Sequence, residues 1–399
     1  MPGFELFGDL ERKHVNDVLD SGVLMRYGFD SMRNDHWKAR ELETLLAHKM
    51  QVDHAHVVSS GTAALTVALA SMGVGAGDEV IVPSFTFVAS FEAVIALGAV
   101  PVITNIDKTL TLDPQAVKNA ITPRTKVVMP VHMCGSMARL NELQALCKEH
   151  DLFLLEDACQ AIGGTYQGKP LGSYGDAGCF SFDYVKTVTC GEGGALITNH
   201  KEIYEKAHMF SDHGHDHIGS DRGAEQHPFL GYNFRISELN AAVGLAQLQR
   251  LDSFLELQKK NYYILKSALQ SVEAVVFREV PEGGEESYAF LNFFMPDAHS
   301  ARQAVKFLAA NKVDGCFYWF SNNWHYVRKW EHLQKLTALG ALPRELKERF
   351  FHSFSNNFGP SDYWMERNIS VLIKLSWSEE EVARRAAGLK DSVLKALKN

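Results

Sequence analysis

Between residues 50 and 200 the chain alternates short β-branched runs with stretches whose apolar residues recur at helical spacing. The runs fall at 56–58, 79–83, 100–103, 126–130, 152–156, 178–182 and 195–198. No other feature restricts the fold as strongly, because strand–helix–strand repeats joined by short connections close as a mainly parallel sheet covered by helices. The expected class is α/β. From 236 to about 269 the apolar positions Leu239, Val243, Leu245, Leu248, Leu251 and Leu255 continue without a proline, which predicts one or two long helices. Strand-like pieces at 274–277 and 288–294, a helix starting near Ala301 and another over 379–397 predict a smaller α+β unit. The expected division is 1–250 for an N-terminal arm and large domain, and 251–399 for the linking helix and small domain.

A chain of 399 residues is long enough to bury a full core, and 46% apolar with 22% charged residues is an ordinary globular composition. The formal charge of -8 argues against a nucleic-acid partner. Six cysteines without a Cys-x-x-Cys pair signal neither a disulfide framework nor a thiolate metal site. The first residues carry Glu5, Asp9 and Glu11 where a signal peptide would be apolar. The longest uncharged run, 57–77, holds four glycines with Ser59, Ser60, Thr62, Thr66 and Ser71, so it reads as a strand end, a polar turn and a helix. The expectation is a cytoplasmic protein with no membrane partner and reduced thiols.

Three segments could carry chemistry. Ser59-Ser60-Gly61-Thr62-Ala63 leaves a strand and opens a helix, where free backbone N–H groups and the helix dipole can meet a phosphate; a plain helix cap is the alternative. Glu156-Asp157 ends a predicted central strand, the edge at which open α/β sheets bind ligands, and an N-cap aspartate is the competing reading. Lys186 stands alone among apolar and hydroxyl residues before the turn Gly191-Glu192-Gly193-Gly194. A lysine whose charge is disfavoured by burial becomes a nucleophilic amine able to form a Schiff base, whereas a snorkelling surface lysine does not.

Two other patterns point away from their motifs. Gly163-Gly164-Thr165-Tyr166-Gln167-Gly168-Lys169 has P-loop spacing, but Pro170 stands where the magnesium-binding hydroxyl belongs, so a hairpin turn is expected. His213, His215 and His217 with Asp212 and Asp216 could form a metal face, yet Gly214 and Gly219 make the segment loop-like, and no metal is expected.

Taken together, Gly61-Thr62-Ala63-Ala64-Leu65, Pro83-Ser84-Phe85-Thr86-Phe87, Glu156-Asp157-Ala158-Cys159-Gln160, Phe180-Ser181-Phe182, Lys186, Gly191-Glu192-Gly193-Gly194 and Gly231-Tyr232-Asn233-Phe234-Arg235 resemble, in order and spacing, the DegT/DnrJ/EryC1/StrS family. The resemblance covers essentially the whole chain. It implies a fold type I aminotransferase using pyridoxal 5'-phosphate (PLP) on a sugar. Lys186 then resembles the lysine that bonds to the cofactor and carries the proton, and Asp157 the carboxylate at the pyridine nitrogen. Phe87 matches the residue stacked on the ring, Gln160 the amide near its hydroxyl, and Gly61, Thr62 and Ser181 the phosphate cradle. Asn233 matches a residue lent by a neighbouring subunit, which implies a homodimer with shared active sites. A dehydratase branch has histidine at the lysine position, so Lys186 points to amino transfer.

Segments 1–8, 26–27, 32–35, 132–137, 211–217, 315–319 and 322–326 are unlike those of the usual nucleotide-sugar members and resemble the branch that aminates a free octulosonate, with L-glutamate as donor. Both substrates carry a carboxylate and the sugar many hydroxyls, so imidazoles, guanidiniums and amides are wanted: Arg26, Arg235, His215, His217, Asn323 and His325 are the candidates. A nucleotide-linked keto sugar is the alternative acceptor. Trp319 and Trp324 could stack on a sugar or fill the core. Cys159 and Cys190 are expected to pack around the cofactor without a redox duty.

Overall fold

The computed structural model describes residues 3–219, 221–354 and 357–399. Each predicted β-branched run of the first half forms a strand: β1 (His54–Val58), β2 (Glu79–Pro83), β3 (Val100–Thr104), β4 (Thr125–Val128) and β5 (Phe153–Asp157). The hairpin β6 (Thr165–Tyr166) and β7 (Lys169–Pro170) follows, then β8 (Ala177–Ser181) and β9 (Gly194–Thr198). One seven-stranded sheet runs β1-β9-β8-β5-β4-β2-β3. The contacts among β3, β2, β4, β5 and β8 are parallel, and β9 pairs antiparallel to both β8 and β1. The C-terminal ends of β1, β2, β5 and β8 therefore share one edge.

The P-loop-like segment is the expected hairpin: Gln167 and Gly168 both take positive φ (47° and 78°) between β6 and β7. The long helical stretch is two helices, Glu238–Gln249 and Leu251–Gln270, meeting at Arg250. Beyond them β10 (Val276–Phe277), β11 (Gly284–Glu285), β12 (Phe290–Phe294), β13 (Cys316–Phe317) and β14 (Asn368–Leu372) follow. Four of these form an antiparallel sheet, β10-β12-β14-β13, packed with helices Ala298–Ala310 and Glu379–Ala396 around a separate apolar cluster. β11 instead pairs with β6.

The stretch 318–365, which has little periodic pattern, starts on the smaller sheet through Tyr318 and Trp319 and then leaves it. Trp319, Tyr326, Val327, Trp330, Leu333, Phe350 and Phe358 join Phe85 and Phe91 in the main core. Backbone and side-chain bonds pin this return: Thr86 N donates to His325 O at 2.9 Å, and Ser84 Oγ to Ser361 Oγ at 2.9 Å. We propose the domain division at 250–251 from the helix break at Arg250, with the segment 318–365 as a flap from the second unit over the first. Among the described residues no helix is long and apolar enough to cross a membrane.

Candidate active site

The neighbouring carboxylates at the end of β5 have opposite fates because successive strand residues face opposite sides of the sheet. Glu156 is fully buried and accepts from His132 Nε2 (2.8 Å) and the backbone N–H groups of Gly172 (2.9 Å), Tyr174 (2.6 Å) and Gly175 (2.8 Å). The three backbone bonds clamp the loop entering β8, and the fourth ties it to the segment after β4. Asp157 accepts from Ser90 Oγ at 2.9 Å and from the Cys159 N–H at 3.2 Å. Ser90 in turn lies 2.7 Å from Thr86 Oγ1, so a hydroxyl chain aims the Asp157 carboxylate toward the sheet edge. Ser90 carried no sequence signal of its own; its place four residues after Thr86, on the first turn of the helix Ala89–Ala96, is the only hint.

At the end of β1 the Ser60 side chain caps the helix Gly61–Ser71 by accepting from Ala63 N at 3.0 Å. The first-turn N–H groups of Gly61 and Thr62 have no intrahelical acceptor, which is the arrangement that receives a phosphate. A side chain at Gly61 would come within 2.7 Å of Ser181 Cβ and 3.2 Å of Cys159 Sγ, and one at Gly194 within 2.3 Å of the Ser60 carbonyl. Glycine is required by the closeness of three strand ends. Ser181 thus stands beside the helix start.

Lys186 follows in a turn closed by its N–H on Asp183 O (3.0 Å), and its carbonyl accepts from Gly3 N (2.9 Å). Phe4 stacks on Tyr184 at 4.2 Å, so the N-terminal residues support the lysine turn. Among the described residues the Lys186 amine makes no ion pair. Its charge acts on Cys134, Cys159 and His325, while Asp157 also acts on Cys159, so lysine and aspartate flank the same thiol. Burial pushes the thiols of Cys159 and Cys179 well up and Cys134 to about 11, which leaves them protonated and unreactive. Cys190 packs behind the Gly193 turn, its Sγ 3.2 Å from Glu192 O.

Gln160 accepts at Oε1 from Cys134 N (3.0 Å) and faces His325 Nε2 with its Nε2 (3.1 Å). Phe87, half exposed, lies 5.7 Å from the His325 ring. Trp319 is buried, stacked on Phe317 and bonded through its indole N–H to Ser370 Oγ at 2.7 Å, which makes it a core residue; Trp324 is exposed. The Asn323 carbonyl accepts from Trp330 Nε1, while its side chain is on the surface.

Arg26, His215, His217 and Arg235 form a second cluster, bonded to one another's neighbours rather than to Lys186, Asp157 or Gln160. Arg26 is buried on Glu43 (2.5 Å) and the Val57 carbonyl (3.3 Å). Glu43 also accepts from Val57 N and faces His56. Arg235 and Arg222 both donate to Asp212, His217 lies 3.5 Å from the same carboxylate, and His215 faces Glu225 at 2.8 Å. Burial would raise the Asp212 carboxyl, but the hydrogen bonds from Arg222 and Arg235 overcome it and hold it below the usual range. The two histidines lie near carboxylates without a hydrogen bond at His215 Nδ1 or His217 Nε2, and no group of three or more ligating residues among the described residues is arranged to hold a metal. Asn233 is exposed beside this cluster, its Oδ1 accepting from Arg235 N. A cavity of about 620 Å³ opens there, lined in part by Arg26, Tyr27, His208 and His217.

A buried carboxylate, an unpaired lysine, an open helix start and an amide at the C-terminal edge of a mainly parallel sheet have the donor set of a PLP aminotransferase. The comparisons agree. The DegT/DnrJ/EryC1/StrS aminotransferase family is matched over residues 8–342, and the chain belongs to it. It is 34% identical over 331 residues to a GDP-perosamine synthase of Vibrio cholerae, covering 82% of this chain and 86% of that protein. The crystal structure of a 3-amino-5-hydroxybenzoic acid synthase superposes with a TM-score of 0.81 at 31% identity, covering 98% of this chain and 97% of the other. An aminotransferase from Psychrobacter cryohalolentis superposes at 0.85 with 26% identity, over 99% and 98%. The chain is a sugar-family transaminase and its cofactor is PLP.

Proposed function

We propose that this enzyme moves an amino group from L-glutamate to 3,8-dideoxy-8-oxo-manno-octulosonate, giving 8-amino-3,8-dideoxy-manno-octulosonate, a sugar of lipopolysaccharide. The observation that carries the acceptor choice is a convergence. Two segments unlike those of nucleotide-sugar relatives, 132–137 and 322–326, meet on Gln160 through Cys134 N and His325 Nε2, beside Lys186.

PLP, when bound, supplies the ring that accepts the electron pair released at the substrate carbon. The chain's residues do the rest. Asp157, held by Ser90 and the Cys159 N–H, places a negative charge for the ring nitrogen, and the Gly61 and Thr62 N–H groups with Ser181 Oγ take the phosphate. Phe87 would lie against the cofactor ring, and the second N–H of the Gln160 amide would be the donor for its hydroxyl. Lys186 Nζ anchors the cofactor and then carries a proton between the two carbons that exchange it. An amine can do so because one atom both takes and gives the proton within reach of both positions.

A homodimer with shared sites is part of the proposal. Leu230 and Tyr232, close to Asn233 in sequence, are 92% and 58% exposed, apolar side chains that a second copy would cover. Mixing Lys186→Ala with Asn233→Ala chains tests it: restored activity in the mixture is expected, and none would place Asn233 outside the partner's site.

The GDP-perosamine synthase likeness favours a second reading, a nucleotide-linked keto sugar as acceptor. An acceptor panel with glutamate as donor, read by mass spectrometry, separates the two. Faster amination of nucleotide keto sugars than of the 8-oxo octulosonate would overturn the free-sugar choice.

A further inference from the structure

The contacts of Gln160 decide which nitrogen of His325 carries a proton. A backbone N–H can only donate, so the atom bonded to Cys134 N at 3.0 Å is the amide oxygen. The amide NH2 therefore faces His325 Nε2 at 3.1 Å, and as a pure donor it requires Nε2 to accept. The proton of the neutral imidazole sits on Nδ1. Burial and the nearby Lys186 charge hold the ring neutral, pushing its pKa down to about 3.

The imidazole is fixed. Its backbone carbonyl accepts from Thr86 N at 2.9 Å, and the Trp319 edge packs on the ring at 4.5 Å. Trp319 is itself tied to Ser370 and stacked on Phe317. Nδ1 is nonetheless closed off from solvent with no hydrogen-bond partner. A buried donor left unpaired is costly unless something in the working enzyme pairs with it. Its surroundings say what: the exposed rings of Phe87 (5.7 Å) and Trp324 (6.3 Å) flank the imidazole. Apolar rings around a few oriented donors suit a molecule with C–H faces and many oxygens.

We propose that His325 donates its Nδ1–H to a hydroxyl or carboxylate oxygen of the sugar acceptor, and that Gln160 is the positioning residue that makes Nδ1 the donor. The proposal rests on the keto-sugar reading, and it adds a specificity-determining residue to it.

The test compares holoenzyme variants on whichever acceptor the wild type aminates fastest, so a wrong choice of sugar changes the substrate and not the outcome. Asparagine can place an N–H near the Nδ1 position, whereas phenylalanine keeps only the ring. His325→Phe is expected to lower acceptor kcat/KM about 10²-fold, with the loss for glutamate at least about tenfold smaller, and His325→Asn to recover most of it. Equal losses on both substrates, or an asparagine variant no better than phenylalanine, would overturn the donor role. Gln160→Leu is expected to lower acceptor kcat/KM about tenfold more than glutamate kcat/KM in the wild-type background, and to lower the two equally in His325→Phe. An acceptor-specific loss that persists in His325→Phe would overturn the positioning role, and equal losses on both substrates in the wild-type background would leave Gln160 to the cofactor alone. Melting curves show that each variant is folded; if His325→Phe is not, His325→Gln, which cannot reach the Nδ1 position, replaces it.

Discussion

Two polar regions flank β1 and are built on opposite terms. In the cluster around Asp212 and Glu43, two buried carboxylates are met by guanidiniums, Glu43 by Arg26 and Asp212 by Arg222 and Arg235, and Glu225 faces His215. In the cleft at the sheet edge, among the described residues, Lys186 has no ion pair, the N–H groups of Gly61 and Thr62 have no intrahelical acceptor, and His325 Nδ1 has no hydrogen-bond partner. The contrast is one of charge pairing: the guanidiniums of the cluster are tied to carboxylates and the Lys186 amine is not, while unpartnered buried atoms occur in both regions, among them His215 Nδ1, His217 Nε2 and His325 Nδ1. Charge and burial alone do not make that distinction, because the paired cluster is richer in charged residues than the cleft. Glu156 and Asp157 repeat the lesson within one strand: the residue with four partners is a clamp, and the residue with two aims at the site.

The largest test of the contrast is Lys186→Ala. Removing the covalent and proton-carrying amine should lower turnover by about 10³-fold or more with an unchanged melting temperature, and borohydride reduction should no longer fix PLP to the chain. Normal turnover would place the reactive amine elsewhere. In the paired cluster the effect should fall on stability: Asp212→Ala strands two guanidiniums and is expected to cost about 3–5 kcal/mol in urea unfolding. A cost below about 1 kcal/mol would mean the ion pairs are not structural.

The strand pair β5 offers a matched comparison. Asp157→Asn should lower kcat by about 10²-fold or more with little change in stability, while Glu156→Gln should lower stability by about 1–3 kcal/mol, since each lost acceptor leaves a buried N–H unpaired. Reversed effects would exchange the roles assigned to the two carboxylates.

The smallest effect is on pH. Burial lowers the pKa of His56, His208, His217 and His325, so the folded chain refuses protons that these side chains accept when unfolded, near 6.5. The unfolded state therefore gains protons as pH falls below about 6.5, and stability is lost on acidification by up to about 1.4 kcal/mol per pH unit per histidine. The melting temperature should fall between pH 6.5 and 4.5, and His208→Gln should flatten the slope. A melting temperature independent of pH over that range would contradict burial of the histidines as imidazoles.

Much of this was legible in the chain. All seven strands of the main sheet were predicted, because β-branched runs bounded by turn residues are a local signal. So were the hairpin at 163–170, stopped from being a P-loop by Pro170, and the helix that starts at Gly61. Tertiary neighbours were not legible. Arg26, His215, His217 and Arg235 were expected as donors toward a carboxylated substrate, and the structure sets them beside Glu43, Glu225, Asp212 and Asp212, which lie 17, 10, 5 and 23 residues away from them in sequence. The return of 318–365 to the main core was also invisible, since its aromatic residues follow neither a helical nor a strand period.

The sequence by itself determined the sheet and the family of the chain, because strand pattern and motif spacing are properties of neighbouring residues. Tertiary structure decided which polar groups are spent and which are free. Ser90 became the support of Asp157 and Gln160 the partner of His325 only when residues 67 and 165 positions apart were brought within hydrogen-bond reach. Hydrogen-bond satisfaction depends on atoms a few ångströms away in space, and no spacing along the chain encodes that distance.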